Sequence, residues 1–349
     1  MTSRHILLAL AALTISAAPA EAQQVSLNET GSTLMYPLFQ LWIADYAKAN
    51  PHVTITPAAT GSGAGEQAAL SGKAAIGASD AYLSDEQAEQ NRQFVDIPLA
   101  ISAQTINYNV PGLNNAALKL DGETLAAIYS GRITEWDAAP IAAMNPGVKL
   151  PHQQIVPIRR ADGSGDTFIF TQFLDFTNQQ WSDGIGYGTS VAWPQLATER
   201  AATGNDGMVK TLASTPYSIG YVGISFRNAA TKAELGAALL KNQYGTFLSP
   251  TPETIAEAAS NLDQRTPADE RLTLVYAPGA NSYALINYEY VVISMQQPNP
   301  QTAAALRDFL TWAVGLQGGN APKYLDAVGF VALPDFIRAL SEQQIDRIR

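Results

Sequence analysis

Hydrophobic positions repeat with two periods that take turns along this chain. Val53-Thr54-Ile55-Thr56-Pro57 alternates and predicts a strand leading into a glycine turn at Gly61. Ala74 to Asp80 predicts a short buried strand ending in a carboxylate. Ala100 to Tyr108 predicts a longer strand, and Ile155-Val156-Pro157-Ile158, Tyr217 to Val222 and Tyr283 to Ser294 predict further ones. Helical spacing predicts helices over Asp121 to Tyr129, Ile141 to Met144, Gln301 to Val314 and Pro334 to Ile348. The Thr-, Pro-, Ala- and Asn-rich region from Leu248 to Glu270 predicts a surface excursion with a helix. Such alternation defines an α/β fold, in which ligands sit beyond the carboxyl ends of strands. Asp80, directly after its strand, fits that placement. Trp42, Trp136, Trp181 and Trp312 fall within apolar patterns and are read as core.

Three small, hydroxyl-bearing turns each precede a helical pattern: Gly31-Ser32-Thr33, Gly61-Ser62-Gly63-Ala64-Gly65, and Arg159-Arg160-Ala161-Asp162-Gly163-Ser164-Gly165-Asp166-Thr167. A helix N-terminus carries unpaired N–H groups and partial positive charge, and glycines let an anion approach the backbone. Any one such turn is also a simple helix cap, and the arginine run is also an ion pair beside an N-cap. Together they suggest a site for a tetrahedral oxyanion, with Arg160 supplying the full charge and Asp162 orienting it.

Composition narrows the setting. Arg4, the apolar run Ile6 to Ala18 and Ala20-Glu21-Ala22 make residues 1–22 a signal peptide cleaved before Gln23. The expected location is therefore the periplasm. The chain has no cysteine, which excludes a disulfide framework, a thiolate metal site and a lipidated cysteine. The formal net charge of −10 argues against nucleic acid and anionic membranes, but not against a small anion held in a cleft. About 325 mature residues, 46% of the whole chain being hydrophobic, predict two domains with real cores.

Other chemistries fail on inspection. Gly72-Lys73 lacks the upstream glycine of a phosphate-binding P-loop, and no Gly-x-Ser-x-Gly elbow is present. His52 and His152 each follow a proline, stand alone and read as surface residues. An extracytoplasmic phosphatase or esterase using Ser62 or Ser164 would therefore lack its base, and no cofactor or metal is expected.

With these motifs in place, the chain resembles the phosphate-binding proteins of bacterial phosphate ABC transporters from about Leu27 to the C-terminal helices. The resemblance rests on Gly31-Ser32-Thr33 with Pro37 and Trp42, Gly61-Ser62-Gly63, and Ile76-Gly77-Ala78-Ser79-Asp80. It continues through Leu120-Asp121-Gly122, Ile128-Tyr129-Ser130-Gly131, Trp136-Asp137 and Asn145-Pro146-Gly147. Arg159 to Gly165, Gly204-Asn205-Asp206-Gly207 and Ile219-Gly220-Tyr221-Val222 complete it. It implies a two-domain, type II periplasmic binding fold with phosphate in the interdomain cleft. The first domain would be discontinuous, 23–102 plus 282–349, and the second would span 103–281. It also implies a monomeric, non-enzymatic receptor that binds inorganic phosphate and delivers it to permease subunits, with arsenate as the alternative ligand. The positions matching the family's ligand set are Thr33, the N–H of Leu34, Ser62, Asp80, Arg160, Ser164, Gly165 and Asp166, and Asp162 matches the carboxylate that pairs with the arginine. Asp166 departs from the family pattern, which has Thr or Ser there. Its carboxylate is expected to turn away from the anion, onto N–H groups of the following helix.

Overall fold

The structure is a computed structural model, and it describes residues 24–349. The signal peptide inferred for residues 1–22 lies outside the described residues. Eight strands form one continuous, mixed sheet: β1 (Val25–Gly31), β2 (Val53–Thr56), β3 (Ile76–Ser79), β4 (Phe94–Asn109), β5 (Val156–Arg160), β6 (Arg200–Ala202), β7 (Ser218–Gly223) and β8 (Ile286–Ser294). Their spatial order is β2-β1-β3-β8-β4-β7-β5-β6, and the short strand Gly236–Ala237 also pairs with β4. Within each half the strands that lead to the site are parallel: β1 with β2 and β3, and β5 with β6 and β7.

β4 joins the two halves. Its Phe94–Ala103 segment pairs antiparallel with β8, and its Gln104–Asn109 segment pairs antiparallel with β7. The sequence pattern predicts only Ala100 to Tyr108. The strand starts earlier because Phe94 to Leu99 is covered on both faces, so Asp96 and Pro98 break the alternation without ending the strand. Pro98 lacks an N–H for the ladder. The register shifts opposite Glu289 and Tyr290, so Leu99 bulges and the proline is accommodated.

Helices cover the sheet. α1 (Tyr36–Ala49) starts with Pro37 in its first turn and buries Leu38, Phe39, Trp42 and Tyr46. This stripe packs against α5 (Pro300–Val314), where Phe39, Trp42, Tyr46, Phe309 and Trp312 form an edge-to-face aromatic cluster. Asn299 caps α5 through Thr302. α2 (Ser62–Leu70), α3 (Gly165–Thr177) and α4 (Gly204–Ala213) each begin just beyond a strand end. Trp42, Trp136 and Trp181 are buried and Trp312 is packed against the same core.

The region from Leu248 to Glu270 is more integrated than a surface excursion. Phe247–Leu248 pairs with Leu239–Lys241, which pairs with Lys119–Leu120 in a separate three-stranded sheet. The helix Pro252–Ser260 that follows has a Thr251–Thr254 capping box and buries Ile255, Ala258 and Ala259.

Candidate functional site

The carboxyl ends of β1, β3, β5, β6 and β7 converge, and the three turns singled out in the sequence meet there. Gly31 ends β1 with φ of 142°, and a Cβ at that position would lie 1.9 Å from the Ala78 carbonyl oxygen. Only glycine permits this approach of β1 to the end of β3. Ser32 then folds back: its Oγ accepts from the N–H of Leu34 (3.1 Å) and of Met35 (3.0 Å) and donates to Asp80 Oδ1. The Leu34 N–H named as a ligand donor is thus occupied by Ser32 Oγ in this conformation.

Asp80 follows β3 and is fully buried. Ser62, in the first turn of α2, donates to Asp80 Oδ2 at 3.3 Å, while the Asp80 N–H donates to Ser62 Oγ at 3.2 Å. Asn287 of β8 donates to the Asp80 carbonyl at 2.8 Å. Burial raises the Asp80 carboxyl above its ordinary value, against the lowering effect of its hydrogen bonds and of Arg160.

Arg160 ends β5 with its side chain 1% exposed, whereas that of Arg159, one residue earlier, is 23% exposed and pairs with Glu199 at 3.1 Å. Alternation along the strand sends the two guanidinium groups to opposite faces. Asp162 accepts from Arg160 Nε at 2.8 Å and also from Nη2, and accepts from the Gly204 N–H at 3.2 Å. Burial opposes the Arg160 charge and the two aspartates sustain it. The Arg160–Asp162 pairing expected from the sequence is therefore present.

Ser164 caps α3 by accepting from the Thr167 N–H at 3.3 Å. Gly165 lies where any larger residue would collide: a Cβ would come within 2.5 Å of Asp80 and 2.6 Å of Ser62 Oγ. The loop before α3 also touches α2 directly, the Gly63 N–H donating to the Gly163 carbonyl at 3.1 Å.

Asp166 departs from expectation. Its carboxylate does not turn onto N–H groups of α3, because Ser164 already caps that helix. It lies fully buried against Arg160 Nη1 (2.7 Å), Asn205 Nδ2 (2.6 Å) and Gln104 Nε2 (3.0 Å). An ion pair with a buried guanidinium outcompetes helix N–H groups as a partner for a desolvated carboxylate.

Asn205 is one of the residues that sequence reasoning missed. It sits in the first turn of α4, gives its N–H and Nδ2 to Thr33 Oγ1 (3.3 and 3.0 Å), and accepts from the Gly223 N–H at 2.8 Å. Its segment, Gly204 to Gly207, carried resemblance but no assigned role. Tyr221 was missed likewise; its hydroxyl accepts from the Arg160 N–H at 3.0 Å and meets Thr167 Oγ1 at 2.7 Å. Glu289 is fully buried in β8 within hydrogen-bonding reach of Asp80, and Ser102 donates to it. A lone carboxylate in the apolar run Ile286 to Ser294 was a readable signal for it.

Neither Ser62 nor Ser164 has a histidine among its hydrogen-bond partners in the described residues. His152 is exposed, as read from the sequence, but it does not stand alone. Its Nδ1 lies 3.0 Å from Asp137 and 3.2 Å from Glu135, and these carboxylates raise its pKa. None of the strand-end residues takes part in that group.

A two-lobed α/β sheet with buried hydroxyls, helix N-termini and one guanidinium at its strand ends defines the class of two-domain periplasmic binding proteins. The comparisons agree. The PBP superfamily domain matches residues 16–315. The phosphate-binding protein PstS of Methanocaldococcus jannaschii is 32% identical over 343 residues, covering 93% of this chain and 87% of that protein. PstS of Pasteurella multocida is 31% identical, covering 96% and 93%. Among solved structures, a high-affinity periplasmic phosphate-binding protein with bound phosphate aligns with a TM-score of 0.71 at 21% identity, covering 92% of this chain and 93% of that one. A phosphate-binding protein from Stenotrophomonas maltophilia aligns at 0.67 and 21%, covering 91% and 93%. The chain belongs to the PstS family of phosphate-binding proteins within the PBP superfamily.

Proposed function

We propose that this protein is a receptor that binds inorganic phosphate in the periplasm and delivers it to the permease subunits of a phosphate ABC transporter. The observation that carries the reading is convergence. In a chain of the PstS family, Ser62, Asp80, Arg160, Ser164 and the first turn of α3 meet at the strand ends. We assign phosphate contacts to Thr33, Leu34, Ser62, Asp80, Arg160, Ser164, Gly165 and Asp166, with Asp162 holding the arginine.

The proposed domains are 23–102 plus 282–349 and 103–281. Support comes from β4, whose partner changes from β8 to β7 between Ala103 and Gln104. Phosphate contacted from both sides would favour the closed arrangement by population shift. No bond is made or broken: the hydroxyls of Ser62 and Ser164 are committed to Asp80 and to the α3 N-terminus, and no histidine is among their hydrogen-bond partners in the described residues. The receptor acts as a monomer, exported by the signal peptide at residues 1–22.

Selectivity follows from Asp80. Phosphate near neutral pH keeps a proton to donate to a buried carboxylate; sulfate has none. Sites built around a required hydrogen bond reject analogues lacking it by roughly 10⁴–10⁵. A ligand that binds only the native state raises its melting temperature. Protein stripped of ligand by partial unfolding should melt higher in millimolar phosphate and should not hydrolyse a chromogenic phosphate ester. An unmoved melting temperature would refute the receptor, and turnover would refute the non-enzymatic reading.

A further inference from the structure

The guanidinium that should meet the anion is matched before any anion arrives. One edge of Arg160 is held by Asp162, and Nη1 is held by Asp166 at 2.7 Å. Asp80 and Glu289 add two more buried carboxyl groups at the same place. One cation thus stands among four carboxyl groups. A dianion entering here would face at least two buried carboxylates, and like charges in a desolvated site repel strongly. Two carboxylates facing one ligand are relieved together only if the ligand brings a proton for each.

We propose that Asp166 is a second proton-accepting carboxylate of the site, so that this receptor takes phosphate as its dihydrogen monoanion, one ligand hydroxyl donating to Asp80 and the other to Asp166. The proposal rests on the phosphate reading above. Asp80 is suited to its part because Ser32 and Ser62 donate to it and hold it as an acceptor. Asp166 is presented by the first turn of α3, and both its oxygens are fixed, Oδ1 by Gln104 and Oδ2 by Arg160 and Asn205.

The charged and titratable groups facing Asp166 are Arg160 from β5, Asp80 from beyond β3, Glu289 from β8 and Tyr221 from β7; Gln104 of β4 and Asn205 of α4 are neutral. Burial, then the charge of Asp80, raises the Asp166 carboxyl to about 7. Burial keeps Glu289 protonated well above the ordinary range and the Tyr221 hydroxyl neutral. Above about pH 8 free phosphate is mostly the dianion and Asp166 is ionised in the empty site, so binding must take up a proton on behalf of Asp166. A hydroxyl or amide at this position has no such requirement.

The test is calorimetric titration of phosphate into stripped full-length protein at about pH 8.5, in two buffers of different ionisation enthalpy, for the native chain, Asp166→Thr and Asp166→Asn. The native protein should take up about one proton more per phosphate than either variant. Its affinity should fall about tenfold more steeply per pH unit between about pH 8 and pH 9. Equal proton uptake in the native protein and a folded variant overturns the proposal while leaving the receptor intact. Should neither variant fold, a pH-independent affinity of the native protein over that interval overturns it equally. The absence of any binding heat with the native protein overturns the phosphate reading and this proposal together.

Discussion

Arg160 and Arg159 show how one residue of register separates function from surface. Arg160 is buried between Asp162 and Asp166, and Arg159 is partly exposed against Glu199. Arg160→Ala should therefore weaken phosphate binding by about 2–5 kcal/mol, the range for truncating a desolvated charge partner. Arg159→Ala should change it little, because its guanidinium lies on the opposite face of β5 against Glu199. Equal losses in a side-by-side titration would place the wrong arginine in the site. At Asp80, replacement by Asn removes the charge that repels a fully ionised anion and supplies an NH₂ to face it. The ratio of phosphate to sulfate affinity should fall more than phosphate affinity itself. An unchanged ratio would show that selectivity arises elsewhere.

At the level of elements, the site is a property of strand ends and helix starts. Gly165 opens α3 so close to Asp80 and Ser62 that an added methyl has no room. Those neighbours belong to the other half of the sheet, so Gly165→Ala should wedge the halves apart. Phosphate affinity is expected to drop by about a hundredfold, roughly 3 kcal/mol, with little change in the melting temperature of the phosphate-free protein. Unchanged affinity would show that the close approach is not needed for binding. This glycine was legible in the sequence, as were Ser62, Asp80, Arg160 and the Arg160–Asp162 pair, because each lies in a turn whose spacing carries chemistry. Asn205, Tyr221 and Gln104 were not assigned. Their roles depend on β4, β7, β5 and β6 following one another across the sheet, a long-range pairing that no local pattern encodes. The orientation of Asp166 was misread for the same reason: its partners, Asn205 and Gln104, are distant in sequence. The start of β4 was missed because a strand covered on both faces loses its alternation.

Taken whole, the molecule buries several carboxyl groups outside the site. Burial raises Glu29, Glu66 and Glu270 to about 8 and Asp96 to about 7. The folded chain therefore holds protons that the unfolded chain has already released. This contribution is complete below about pH 4 and is lost as pH rises through about 7 to 8. Phosphate-free protein should melt lower at about pH 8.5 than at about pH 5.5. Glu29 is one of these groups, and Gln in its place cannot ionise, so Glu29→Gln should flatten that dependence. A melting temperature that rises with pH would contradict the buried-proton account.

The central claim is a receptor whose buried carboxylate reads a ligand proton, and direct titration of stripped protein with phosphate and with sulfate at neutral pH tests it most closely. Phosphate should bind one to one, with sulfate weaker by at least about a thousandfold. Comparable affinity for the two anions, or no binding of phosphate at all, would contradict it.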